Sequence, residues 1–249
     1  MIWDFNMIKK LAITCFMICF LPVNLAIAAN GHEHHENVVK TLPEQYVNTE
    51  NVLLPSISVK FELQNSTQKV DWFMDRKPNS IATFNGASQQ GEIWSRNLNG
   101  DIEHSRVFLQ DKKLVEYTNG ELKTQNKLPQ WNHLASIFDP KQIEKLNKTG
   151  EKVLFGKQAF VLEGLLNGLP TIIWWIPEIQ IPAYVQQGEG NASSSIVMKE
   201  ILTQTPSTWD WANPSMLETY SRLDASDLGD MEGDPFVKKL LELDGHHHH

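Results

Sequence analysis

The feature that most constrains the fold is a succession of short segments in which apolar and polar residues alternate, each closed by turn-forming residues. Ile57, Val59, Phe61 and Leu63 alternate with Ser58, Lys60 and Glu62. That spacing puts the apolar side chains on one face of an extended strand. Asn65-Ser66 opens a turn, after which Val70, Trp72 and Met74 alternate with Asp71, Phe73 and Asp75, and Lys77-Pro78-Asn79 punctuates the next connection. Further runs at 81–84, 92–96, 103–109 and 114–118 end at Asn85-Gly86, Asn99-Gly100, Asp111-Lys112-Lys113 and Asn119-Gly120. Asn-Gly pairs between apolar runs mark tight antiparallel hairpins. Strands repeated at this spacing predict a meandering sheet or an open barrel.

The middle of the chain breaks that rhythm. Leu128, Trp131, Leu134, Ala135 and Phe138 fall at helical spacing, and Asp139-Pro140 reads as a cap and first position of a second helix running through Lys148 to Gly150. Strands resume at 152–155, 158–162, 170–176, 183–186 and 196–202. Past Thr203, Pro206, Trp209, Trp211 and Pro214 form an extended aromatic segment. Ser215 is expected to cap a helix reaching about Ala225, and Asp234-Pro235 to open a final one over 236–243. The fold class expected is α+β and mostly antiparallel.

The N-terminal residues follow the logic of a secretory signal. Lys9 and Lys10 precede an uncharged apolar run from Leu11 to Leu21, and Ala26-Ile27-Ala28 offers the small residues that signal peptidase reads. The expected division is a signal peptide over 1–28, a His-containing leader over 29–54 and a half-barrel domain over 55–203. An aromatic strap with C-terminal helices over 204–245 and a His tail over 246–249 complete it. Export implies the periplasm of a Gram-negative envelope. Both cysteines, Cys15 and Cys19, lie in the signal, so the remaining chain must be stabilised by its core rather than by disulfides. Losing residues 1–28, with Lys9, Lys10 and Asp4, shifts the net charge from −8 to −9. Such an acidic chain is poorly suited to nucleic acid.

Seven of the nine histidines cluster at the ends: His32, His34 and His35 near the expected cleavage site, and His246, His247, His248 and His249 at the C-terminus. The final run is either native or the remnant of a tag. Imidazole is a common transition-metal ligand, so these residues are candidates for weakly bound Zn, Cu or Ni. No metal or other cofactor is required by any motif.

The order of elements, a long meander with a helical insertion in its middle, is similar to that of the LolA-type periplasmic lipoprotein carriers. The resemblance covers residues 55–203. It includes Glu92-Ile93-Trp94-Ser95-Arg96, the Tyr117-Thr118-Asn119-Gly120 turn, Leu154-Phe155-Gly156 leading into Phe160 to Gly164, and Trp174-Trp175-Ile176-Pro177. It implies a curved, open half-barrel sheet that wraps the helical insertion and encloses an apolar cavity. It also implies an arginine that helps close the cavity, which the sequence does not locate.

Trp94, Trp131, Trp174 and Trp175 are the candidate ligand-binding residues, since a site for an apolar molecule is concave and lined by such side chains. Adjacent Trp174 and Trp175 on a strand must point to opposite faces. The acidic stretch from Asp224 to Asp234 fails the EF-hand pattern, because Leu228 and Pro235 stand where oxygen ligands are needed. It reads instead as helix-capping carboxylates. No nucleophile elbow, zinc-protease motif, phosphate loop or dinucleotide fingerprint occurs, and His104 and His133 are isolated. The reading is therefore non-enzymatic: a periplasmic protein that binds an apolar small molecule, a lipid or a lipoprotein, with an envelope protein as a further partner. Two alternatives stand beside it, a Zn, Cu or Ni buffer or chaperone acting through its termini, and a hydrolase with dispersed catalytic residues.

Overall fold

Twelve strands form one sheet in a computed structural model that describes residues 54–245. The first six are β1 (Ile57–Gln64), β2 (Lys69–Lys77), β3 (Ser80–Asn85), β4 (Gln90–Arg96), β5 (Ile102–Phe108) and β6 (Lys113–Tyr117). They pair as consecutive antiparallel hairpins. Asparagine side chains build three of the turns. Asn65 Oδ1 accepts from the backbone N–H groups of Thr67 and Gln68, Asn85 Oδ1 from those of Ala87 and Ser88, and Asn97 Oδ1 from those of Asn99 and Asp101. These side chains satisfy the backbone groups that a reversing chain leaves open.

Three short helices follow: α1 (Asn119–Thr124), α2 (Trp131–Ser136) and α3 (Pro140–Ile143). The chain then forms a second meander of β7 (Asn147–Leu154), β8 (Lys157–Leu166), β9 (Leu169–Ile176), β10 (Ile181–Gln187) and β11 (Ser194–Leu202). The two meanders join where β11 pairs with β1, and the order across the sheet is β12-β6-β5-β4-β3-β2-β1-β11-β10-β9-β8-β7. β12 and β7 are the two edges, so the sheet is open. This is the α+β half-barrel expected from the sequence.

The sequence reading needs correction in three places. Asn119-Gly120 opens α1 instead of a tight turn, because Thr118 and Glu121 form a reciprocal capping box. α3 ends at Ile143 and not at Lys148, since residues from Asn147 onward pair with β8 and tertiary pairing overrides the local helical pattern. The helix expected from Ser215 to Ala225 is one turn, α4 (Pro214–Leu217), capped by Asn213. It gives way to β12 (Ser221–Asp224), which lies parallel to β6.

Period-2 alternation divides the side chains between two faces. The inner face carries Val59, Phe61, Met74, Ile81, Leu162, Ile173 and Trp175, all fully or almost fully buried, beneath Ala135, Ile137, Phe138, Ile143 and Leu146 from the helical insertion. Trp94 and Ile102 continue this surface under Leu122 of α1. Phe108 and Val115 extend it under α5 (Pro235–Leu243), whose Phe236, Val237 and Leu240 face them. The outer face of β2 to β6 is covered by residues 209–220, with Trp209, Trp211, Leu217 and Tyr220 packed on Phe73, Phe84, Val107 and Leu114. The C-terminal residues thus cross the outer face, add a strand at the edge and return along the inner face. Asp224 and Asp234 serve as caps, accepting from the backbone N–H of Ser226 and from those of Phe236 and Val237.

Candidate functional site

The inner face of the half-barrel and the insertion lying on it (the plug) are the candidate site. Each plug helix is six residues or fewer, too short to persist without packing. Apolar contact holds the plug down, supplemented by a small set of polar ties. Foremost is Arg76 of β2, 1% exposed. Its Nη1 donates to Ala135 O in α2 at 2.6 Å, its Nη2 to Ile179 O between β9 and β10 at 2.7 Å, and Nε and Nη2 both to Pro55 O at 3.2 Å. One guanidinium therefore joins the sheet, the plug, the β9–β10 connection and the segment entering β1. Burial pushes its pKa down to about 10, which leaves it charged at neutral pH. Among the described residues no carboxylate pairs with it.

Arg76 is a buried arginine that ties the plug to the sheet. Nothing local marks it, since its acceptors in the plug and the β9–β10 connection are main-chain carbonyls 59 and 103 residues away in the chain.

The plug also carries strain. Ile137, just past α2, has φ +65°, a left-handed conformation costly for a β-branched residue. Gln180, beside Ile179, has φ +50°. Ser136 Oγ and Gln180 Oε1 are buried without a hydrogen-bond partner among the described residues. His133 of α2 places Nε2 3.1 Å from Asp139 Oδ1, and that carboxylate also accepts from the backbone N–H of Lys141 at the start of α3. The side chain thus has a place within the plug.

The four tryptophans do not share one chamber. Trp175 is fully buried in the main core. The strand register turns Trp174 to the other face, where its ring lies 4.5 Å from that of Tyr184 and under the Lys152 ammonium, 3.8 Å away. Trp131, on the plug helix α2, packs against the cluster that contains Trp94, and the Arg96 guanidinium stands 4.8 Å from the Trp131 ring. Trp94 and Trp175 therefore belong to the inner face and Trp131 to the plug, while Trp174, facing the other way, is half-buried and packs against the main core as well.

Beside Trp94 is a polar niche. His104 stacks on Trp94 at 3.8 Å and lies 5.3 Å from the Tyr117 ring. Trp94 Nε1 donates to Glu92 Oε2 at 3.1 Å. Burial lowers the His104 pKa to about 4; the Glu92 carboxylate opposes that shift, and Arg106 and Lys127 reinforce it. His104 is therefore neutral near pH 7. Its Nε2 lies 3.8 Å from Glu92 Oε2, beyond hydrogen-bond reach.

A groove of about 680 Å³ opens on the outer face where residues 208–211 meet β1, β2 and β3. Phe73, Phe84, Trp209 and Trp211 line it, but these rings pack on one another at 5.0–6.3 Å. Its Glu62 faces Lys69 and Lys199, and its Asp71 faces Lys60. The groove is the seam of a packed strap. The histidines proposed as metal ligands, His32, His34, His35 and His246 to His249, lie outside the described residues, as does the expected signal peptide. Among the described residues no helix is long and apolar enough to cross a membrane, and no group of three or more His, Asp or Glu is placed to hold a metal.

No family model and no curated protein matches the chain. Solved structures similar to it include PNGF-II, at 11% identity over 71% of this chain with a TM-score of 0.41. Another is MucB of Pseudomonas aeruginosa, at 11% identity over 68% of this chain with a TM-score of 0.42. The Mycobacterium tuberculosis lipoprotein LppX is a third, at 14% identity over 61% of this chain and 89% of its own, with a TM-score of 0.34. The chain spans 32% of the length of PNGF-II and 60% of that of MucB. Overlays this loose transfer no residue and no role. The half-barrel implied by the resemblance to LolA-type carriers rests on this chain's own strand order, register and plug.

Proposed function

We propose that this protein is a non-enzymatic binding protein of the bacterial periplasm, which receives an apolar ligand or the lipid of a modified partner on the inner face of its half-barrel. One observation carries the reading. The sheet presents a mostly apolar inner face, interrupted by Arg76 and His104, and its middle is covered by short helices, one of them followed by the strained Ile137 and tied to Arg76 through the Ala135 carbonyl. A cover of that kind can exchange for another apolar body without unravelling the sheet, whose strands keep their own hydrogen bonds. Trp94 and Trp175, with Trp131 on the underside of the plug, are the aromatic surface such a ligand would meet.

Native mass spectrometry of protein recovered from producing cells tests this reading. Organic mass that survives a chelator supports it. Mass that matches Zn, Cu or Ni and leaves with the chelator would transfer the function to the histidine-rich ends, and a bare polypeptide mass would count against ligand carriage.

A further inference from the structure

The chemistry around Arg76 is more specific than apolar burial requires. A fully buried guanidinium offers five N–H donors and a full positive charge. Among the described residues carbonyl dipoles alone answer it, from Pro55, Ala135 and Ile179. Carbonyls compensate a buried cation less well than an anion that accepts two parallel bonds from the guanidinium fork. Two of these three acceptors also sit in strained chain. Ala135 precedes Ser136 and left-handed Ile137, and Ile179 precedes left-handed Gln180. Ser136 and Gln180 are the very residues whose buried side-chain oxygens lack partners among the described residues. Two segments therefore converge on one cation, each with backbone strain to release and a polar side chain to re-aim.

We propose that the ligand has an anionic head, a carboxylate or phosphate on an apolar body, which takes the places on Arg76 now held by the carbonyls of Ala135 and Ile179. The inference rests on the binding function proposed above and deepens it. Displacing the two carbonyls lets Ile137 and Gln180 leave the left-handed region and frees the plug to lift. The Ser136 hydroxyl then donates to the head, and the Gln180 amide, turned about its terminal bond, presents its N–H₂ to the same oxygens. The apolar body replaces plug side chains over Trp94 and Trp175.

Titration calorimetry with three probes of equal chain length, dodecanoate, dodecyl phosphate and dodecanol, tests the proposal. At least one anion should bind about ten-fold tighter than dodecanol, as expected for one charge-assisted bidentate pair. Which anion is preferred separates a fatty carboxylate from a phosphate-headed lipid. Arg76→Met should bring the three affinities together. Ser136→Ala removes a hydroxyl without a partner among the described residues, and should narrow the anion-to-dodecanol ratio by a factor of about three, a fraction of a charged hydrogen bond. This second variant keeps the test sharp if Arg76→Met folds poorly. Equal binding of all three probes by the unaltered protein would overturn the anionic head and leave the apolar reading standing. Binding of none of them would bring down the proposed function and this inference together.

Discussion

The plug on the inner face and the strap on the outer face cover the same sheet in contrasting ways. The strap is an aromatic interlock. Trp211 stacks on Phe84 with ring planes 6° apart, and Trp209 meets Phe73 edge-on. Its entry is fixed by the buried Asp75, whose Oδ1 accepts from Ser58 at 2.6 Å and from Thr205 at 2.7 Å. Its exit is fixed by β12 on β6 and then by α5, where Asp244 pairs with Arg106 at 2.7 Å. The plug has helices of four to six residues, a β-branched residue at positive φ and buried oxygens without a partner among the described residues. Stability is unevenly distributed in folded proteins, and elements that move are drawn from its low end. The contrast assigns motion to the plug and permanence to the strap.

Damage to the strap should cost the most stability. Trp211→Ala deletes a side chain only 4% exposed, and should cost about 3–5 kcal/mol in urea unfolding. A loss below about 1 kcal/mol would show that the strap is ornamental.

Acid probes the boundary between the regions. His104 lies under the plug side of the sheet with its folded-state pKa depressed by burial to about 4, against 6.5 when unfolded. Its contribution to stability is thus complete above pH 6.5 and lost as pH falls toward 4, because the unfolded chain takes up the proton first. The loss should approach about 3 kcal/mol across that window. Chemical unfolding of His104→Phe, which keeps a ring between Trp94 and Tyr117, should lack this component of the slope. An unchanged slope would mean that His104 is not the group responsible.

A smaller and more local effect is expected at Arg76. Arg76→Met leaves three carbonyls without their donor and should weaken the plug by about 2 kcal/mol. Limited proteolysis within residues 119–146 should accelerate while cleavage within 204–220 does not. The smallest effect belongs to Ser136→Ala, where loss of an unsatisfied hydroxyl should leave stability unchanged or raise it by less than about 1 kcal/mol. A clear destabilisation would reveal a partner for that oxygen.

These regions also differ in how far the sequence foretells them. The β1–β6 meander is legible because its signals are local: alternation gives the faces, and Asn65, Asn85 and Asn97 give the turns. The opposite facing of Trp174 and Trp175 follows from the pleat alone. α1 was within reach too, since Thr118 and Glu121 spell a capping box, but the Asn119-Gly120 pair beside them suggests a hairpin. β12 gives no such warning: Leu223 is its one buried residue, and its partner β6 is about a hundred residues earlier. Arg76 is illegible for the same reason, as main-chain acceptors far along the chain leave no mark on local sequence. The facing of adjacent tryptophans was therefore readable, and the tie that holds the plug to the sheet was not.

A ligand that enters the half-barrel should lift the plug and leave the strap in place. Hydrogen–deuterium exchange with and without dodecanoate, held below its micelle-forming concentration, is the test. The account predicts faster exchange at the backbone amides of residues 131–146 on ligand addition, with residues 209–220 unchanged. Unchanged or slowed exchange in the plug, with the change falling instead on the strap, would contradict it and move the binding site to the outer face.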